Sequence, residues 1–161
     1  MDNVKKLLLK TVLLAAGMVF VFTCIFRVRR AEGNTMSPFV RDGDLCIFLK
    51  LSEPTLGEVV LYRDSEGREH VGRITAIGGQ TVDFPEAGGY TVDGYEPVEE
   101  IPYETHPSPE STLAVPLLLG EDEVFLMHDF RSLTNDSREN GAINRGSIEG
   151  KLLFLLRRRG F

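Results

Sequence analysis

The stretch "LLLKTVLLAAGMVFVFTCIF", Leu7 to Phe26, constrains this chain more than any other. It holds 20 residues with one charge, Lys10. At about 1.5 Å per residue such a helix reaches about 30 Å, the thickness of a bilayer core. Lys10 sits near the start of the run, where its ammonium can snorkel to the headgroups. A cleaved signal peptide would end in a small-x-small site, but this run ends in Arg27-Val28-Arg29-Arg30. The segment is therefore read as an uncleaved anchor in contact with membrane lipid through residues 7–26, with basic flanks, as one unit over residues 1–30. Lys5, Lys6 and Lys10 before it balance Arg27, Arg29 and Arg30 after it, so the positive-inside rule gives no orientation.

Charge divides sharply after the anchor. Up to Arg30 the chain carries six basic residues and one acidic residue, which leaves 12 of its 18 Lys and Arg and 23 of its 24 Asp and Glu for residues 31–161. Between Arg73 and Arg131 no Lys or Arg occurs. Nucleic acid needs a basic face, so it is excluded as a partner. The acidic stretch reads either as a solvated surface or as a docking face for a basic partner. Cys24 lies in the apolar run and Cys46 in a strand-like segment, so no bond between them is expected. His70, His106 and His128 are scattered and lack ligand spacing; no metal and no cofactor is expected.

Residues 31–161 read as one mainly β domain, barrel-like or sandwich-like. "DLCIFLKL" and "GEVVLYRD" alternate or run apolar over strand lengths. "SEG" makes a turn into "EHVGRITAIG", predicting a hairpin, and Asp93-Gly94 is a second hairpin signal. "DEVFLMHDF" and "GKLLFLLRR" are the last strong strands. Pro97, Pro102, Pro107, Pro109 and Pro116 exclude central strands between them, so residues 97–116 are expected as a surface excursion.

Three stretches carry a resemblance. The first, Thr35-Met36-Ser37-Pro38 with Gly43-Asp44, is similar to Ser-Met-x-Pro with a later Gly-Asp. The second, Gly72-Arg73-Ile74-Thr75-Ala76-Ile77-Gly78-Gly79-Gln80, is similar to Lys-Arg-Val-Ile-Gly-x-Pro-Gly-Asp. The third, His128-Asp129-Phe130-Arg131-Ser132-Leu133-Thr134-Asn135-Asp136-Ser137-Arg138, is similar to Gly-Asp-Asn-Arg-x-x-Ser-x-Asp-Ser-Arg. In this order, behind an anchor, they resemble the type I signal peptidases, membrane-anchored serine proteases with a Ser-Lys dyad. The resemblance implies a β-rich fold around the dyad, a cytoplasmic N-terminus and a domain outside the cytoplasmic membrane. It also implies ion pairs Arg73–Asp129 and Asp136–Arg138, with Met36, Pro38, Arg131 and Ser137 as groove or scaffold. A self-cleaving repressor would share Ser-Lys chemistry, but carries a DNA-binding domain where this chain carries its anchor.

The departures fall on the chemistry. Thr35 stands at the nucleophile position, Gly72 at the general-base position and Thr134 at the supporting hydroxyl. A hydroxyl needs a base to take its proton, and glycine offers none. Thr35 is secondary, stiff at χ1, and internal to the chain, so it has no N-terminal amine to borrow. His70 shares a strand face with Gly72, but two residues along a strand is about 6.6 Å and proton transfer needs about 2.6–3.2 Å. Ser37 has the same difficulty as a nucleophile, and Lys50 reads as a solvated strand end. The resulting expectation is a signal-peptidase-like protein without peptidase activity that binds exported polypeptides (pilin or signal-peptide segments), resembling the dyad-lacking Gram-positive proteins that assist pilus assembly beside a sortase. Two alternatives stay open: a working signal peptidase using Thr35 with another base, and a structural membrane adaptor with an acidic docking face.

Overall fold

The computed structural model describes residues 2–109 and 111–157. Helix α1 spans Asp2–Ile25, and the most apolar 18 residues of its Asn3–Ile25 stretch have a mean hydropathy of 2.2, with none of them buried against the domain. Leu14 and Phe20 are each 69% exposed. A helix this apolar and this uncovered is long enough to cross a membrane. It ends one residue earlier than its apolar run, because Phe26 opens a strand. Lys50 closes the helix: its backbone N–H donates to the Ile25 carbonyl (2.9 Å) and its Nζ to the Thr23 carbonyl (2.8 Å). Lys50 is thus the cap of the helix C-terminus, where carbonyls lack partners and a cation is favoured, rather than the solvated strand end expected from sequence.

Strands follow without a linker. They are β1 (Phe26–Arg30), β2 (Leu45–Leu49), β3 (Val59–Arg63), β4 (Glu69–Ile77), β5 (Thr81–Asp83), β6 (Thr91–Val92), β7 (Leu117–Leu118), β8 (Glu123–Met127), β9 (Ile143–Asn144) and β10 (Ile148–Leu156), with a one-turn helix α2 (Ser137–Asn140) before β9. A curled antiparallel sheet runs β1-β2-β10-β3-β4-β8-β9, and a small one runs β6-β5-β7. The fold is mainly β with a single N-terminal apolar helix. Both hairpins expected from turn residues are present. In the β3–β4 turn, Asp64 Oδ1 accepts from the backbone N–H groups of Glu66 and Arg68 (2.9 Å each). At the second, Asp93 and Gly94 both have positive φ, as a tight hairpin turn requires.

Two segments differ from the sequence reading. Arg27 and Arg29, expected in the basic flank of the anchor, belong to edge strand β1, where they pair with Glu69. Glu69 and Glu149 also receive Arg63, so acid from distant strands neutralises this flank within the sheet. The proline-bearing residues 97–116 contain no strand among the described residues, as expected, yet they are more than a surface excursion. Thr105 and Ser108 are buried and tied to residues of the third box.

The core positions the boxes. Met36 and Val40 of the β1–β2 loop pack with Cys46, Phe48, Val59 and Leu61. On the other face Val60, Tyr62, Ile74, Val124 and Leu126 form a second cluster. Strand β3 contributes to both, which is why its residues Val59 to Tyr62 are all 5% exposed or less.

Candidate active site

The loop carrying Thr35 is closed at its base by Ala31 N–H to Asp44 O (2.8 Å) and Gly43 N–H to Ala31 O (2.9 Å). Burial of Met36 at 2% exposure fixes its middle. The Thr35 carbonyl accepts from the Phe130 N–H (2.9 Å), which ties the first box to the third. Thr35 is half-buried and opens onto a cavity of about 510 Å³.

That cavity has an imidazole at each of two walls. His70 Nε2 lies 2.8 Å from Asp64 Oδ2. Burial opposes ionisation of Asp64, but hydrogen bonds from Arg68, its backbone N–H and His70 outweigh it and hold the carboxyl far below its ordinary range. His128 is 1% exposed, and its Nδ1 has no hydrogen-bond partner, with Asp136 Oδ2 3.7 Å away. Burial is the main cause that lowers the His128 pKa, aided by Arg138 and His70 and opposed by Asp136. The ring is therefore neutral near pH 7. Sequence reasoning set His128 aside as one of three scattered histidines. Its signal lay in the third box, where a bulky imidazole stands at a position that is glycine in the matched pattern.

Gly72 does not face this cavity. It is paired with Val60 on β3, and a Cβ placed there would meet Tyr62 Cε1 at 3.3 Å, Leu126 Cβ at 3.5 Å and the Met127 carbonyl at 3.7 Å. Tyr62 sits opposite His70 in the same hairpin, its ring 5.6 Å from the imidazole, so it overlies the space in front of position 72. Burial, then the charges of Asp136 and Asp64, raises the Tyr62 pKa, and the phenol stays protonated. Among the described residues no lysine lines the cavity: Lys50 caps α1 and Lys151 pairs with Glu58 at 2.8 Å.

The third box is held by charge. Asp136 Oδ2 accepts from the His128 N–H (2.9 Å) and Arg138 Nη2 (2.7 Å), and Oδ1 accepts from Arg138 Nε (2.9 Å) and its backbone N–H (3.0 Å). Arg138 also donates to the carbonyls of Arg131 (2.7 Å), His106 (3.2 Å) and Leu133. Both side chains are 0% exposed. Ser137 Oγ accepts from the Leu126 N–H (3.0 Å). Arg73 grips Asp129 through Nε and Nη2, so both ion pairs implied by the resemblance are present. Arg131 is fully buried and donates to Thr105 Oγ1 (3.0 Å) and Glu99 (2.7 Å). Thr134 accepts from Ser108 Oγ (3.1 Å) and does not line the Thr35 cavity.

Of the residues singled out by sequence, Thr35 and Met36 therefore share one cavity with His70 and His128. Pro38, Arg73 and Asp129 line a second one. Gly72, Arg131, Thr134, Asp136, Ser137 and Arg138 line neither.

The fold and the site together define a mainly β protein with a curled sheet behind one N-terminal apolar helix long enough to span a membrane. The profile of the family described as "Signal peptidase, peptidase S26" matches residues 4–156, and the chain belongs to that family. It is 28% identical over 139 residues to the "Probable signal peptidase I-1" of Synechocystis sp. (strain ATCC 27184 / PCC 6803 / Kazusa), covering 78% of this chain and 68% of that one. The crystal structure of a signal peptidase I from Enterococcus faecalis V583 superposes with a TM-score of 0.51 at 20% identity, covering 63% of this chain and 98% of that one, a likeness of fold.

Asp136→Ala is expected to cost about 3–5 kcal/mol, because it strands a fully buried guanidinium. Denaturant unfolding of the full-length protein in micelles measures this; an unchanged midpoint contradicts it. His128 has a lowered folded-state pKa, so its contribution to stability is complete above the ordinary imidazole value of about 6.5 and declines as pH falls below it. His128→Asn is expected to flatten the stability profile below about pH 6.5. A slope unchanged in that window refutes the assignment.

Proposed function

We propose that this chain is a membrane-anchored polypeptide-binding protein that does not cleave peptide bonds. Its domain lies outside the cytoplasmic membrane, with the N-terminus inside, and holds exported segments during assembly of pili or other secreted structures. The supporting observation is the Tyr62 ring in front of Gly72, together with the lack of any lysine among the described residues lining the Thr35 cavity. Loss of general-base assistance costs about 10²–10⁴-fold in rate, and a nucleophile and base that act as a unit lose more. The binding apparatus is intact by contrast. The cavity is open, its loops are fixed by buried ion pairs, and β1 offers a free sheet edge of the kind to which extended chains add by backbone hydrogen bonds. A sortase partner and a pilin client follow from resemblance to dyad-lacking relatives.

A second reading rests on one observation: His70, held by Asp64, and neutral His128 line the same cavity as Thr35. Either imidazole could accept the Thr35 proton in a peptidase of altered design. A fluorogenic signal-peptide substrate and full-length protein in micelles separate the two. The proposed function predicts turnover equal to that of Thr35→Ala, and retention of a labelled, uncleaved peptide by both proteins. Wild-type cleavage that disappears in Thr35→Ala and in either His70→Ala or His128→Ala would overturn it for the second reading.

A further inference from the structure

Resting on the polypeptide-binding reading, we infer that a second cleft, on the far side of the Thr35–Pro38 loop, docks a basic segment of the same polypeptide. The cleft measures about 500 Å³ and is distinct from the Thr35 cavity. Thr35 and Met36 line the first, whereas Pro38 and Phe39 line the second, so one extended chain laid across this loop enters both.

Its chemistry selects a cation. Arg73 and Asp129 at the floor neutralise each other, and Glu99 is neutralised by Arg131 behind it. Glu100 lines the cleft, is exposed, and makes no ion pair among the described residues. One uncompensated carboxylate therefore remains. Residues 74–130, which supply Val98 to Ile101 and Asp129 of this cleft, carry 12 acidic and no basic side chains, Glu99 and Asp129 among them. The Glu100 carboxylate beside low-dielectric walls concentrates the field at the cleft.

The walls suit the rest of a basic side chain. Phe39 is 47% exposed and lies 5.1 Å from the Arg73 guanidinium, and Val98 is fully exposed beside it. A Lys or Arg stem can cover these apolar surfaces while its charged head stays at the wet rim near Glu100. Arg73 uses three of its five N–H donors on Asp129 and the Gly57 carbonyl, so two remain for a backbone carbonyl of the bound chain. A mixed cleft of this kind takes a segment with Lys or Arg beside apolar residues and rejects an acidic one.

The test uses the full chain in micelles and two fluorescein-labelled synthetic peptides sharing one Ala/Val-rich segment. One continues into a Lys-Arg pair and the other into a Glu-Glu pair. Anisotropy should show the Lys-Arg peptide bound about fivefold more tightly at low salt, with the difference collapsing near 0.5 M salt, roughly. Glu100→Lys, at a residue without an ion-pair partner among the described residues, should reverse the order. Glu104→Lys, on the same segment but outside the cleft, should leave it unchanged. Equal affinity for both peptides overturns the cleft and leaves binding in the first cavity standing. Binding of neither peptide removes the polypeptide-binding reading and the cleft with it. An equal effect of Glu104→Lys assigns the preference to the acidic surface at large, and a change of oligomeric state on Glu100→Lys assigns the cleft to a second copy of the chain; both overturn the proposal.

Discussion

The buried pair Asp136–Arg138 is the interaction on which this molecule depends. Two ions with no exposure are tolerable only if every donor and acceptor is used, because desolvation of each costs several kcal/mol. Here Asp136 reaches the backbone of His128 while Arg138 reaches three carbonyls, one of them in the proline-bearing segment. The pair thus fastens the end of β8, the third box and residues 97–116 into one body. Phe130 then carries that rigidity to the Thr35 loop through its N–H. Beside this framework Thr35 and Gly72 stand where the pattern the sequence resembles has serine and lysine.

Those alterations are mutually consistent in packing. With glycine at position 72 the space in front of it must be filled by a neighbour, since interiors are close-packed. The ring of Tyr62 fills it, 3.3 Å from where a Cβ would be. At the third-box position where the matched pattern has glycine, His128 adds bulk to the wall of the Thr35 cavity, which Tyr62 does not line. The Tyr62 ring thus fills the space in front of Gly72, and His128 stands buried in the third box.

Much of the fold was legible in the sequence because its signals are local. Apolar length marks α1, alternation marks β2 to β4 and β8, and Asp93-Gly94 marks a turn. What was hidden depends on partners distant along the chain. Strand β1 reads as a basic flank, since nothing nearby shows that Glu69 and Glu149 will neutralise Arg27 and Arg29. The proline-bearing segment reads as surface because its anchors are side chains of Arg131 and Arg138 some 30 residues on. Position 72 showed what was missing, but only the β3–β4 register reveals that Tyr62 takes its place.

That replacement is the central claim, and a size-exchange cycle tests it most directly. Tyr62→Ala opens a cavity and Gly72→Leu overfills an occupied space, so each alone should destabilise the full-length protein, the first by about 3–5 kcal/mol and the second by about 1–3 kcal/mol. If the ring and position 72 share one space, the double variant recovers much of the loss, with a coupling of about 2 kcal/mol measured by denaturant unfolding. Strictly additive losses would mean that the Tyr62 ring does not stand where the base would be, and would contradict the account.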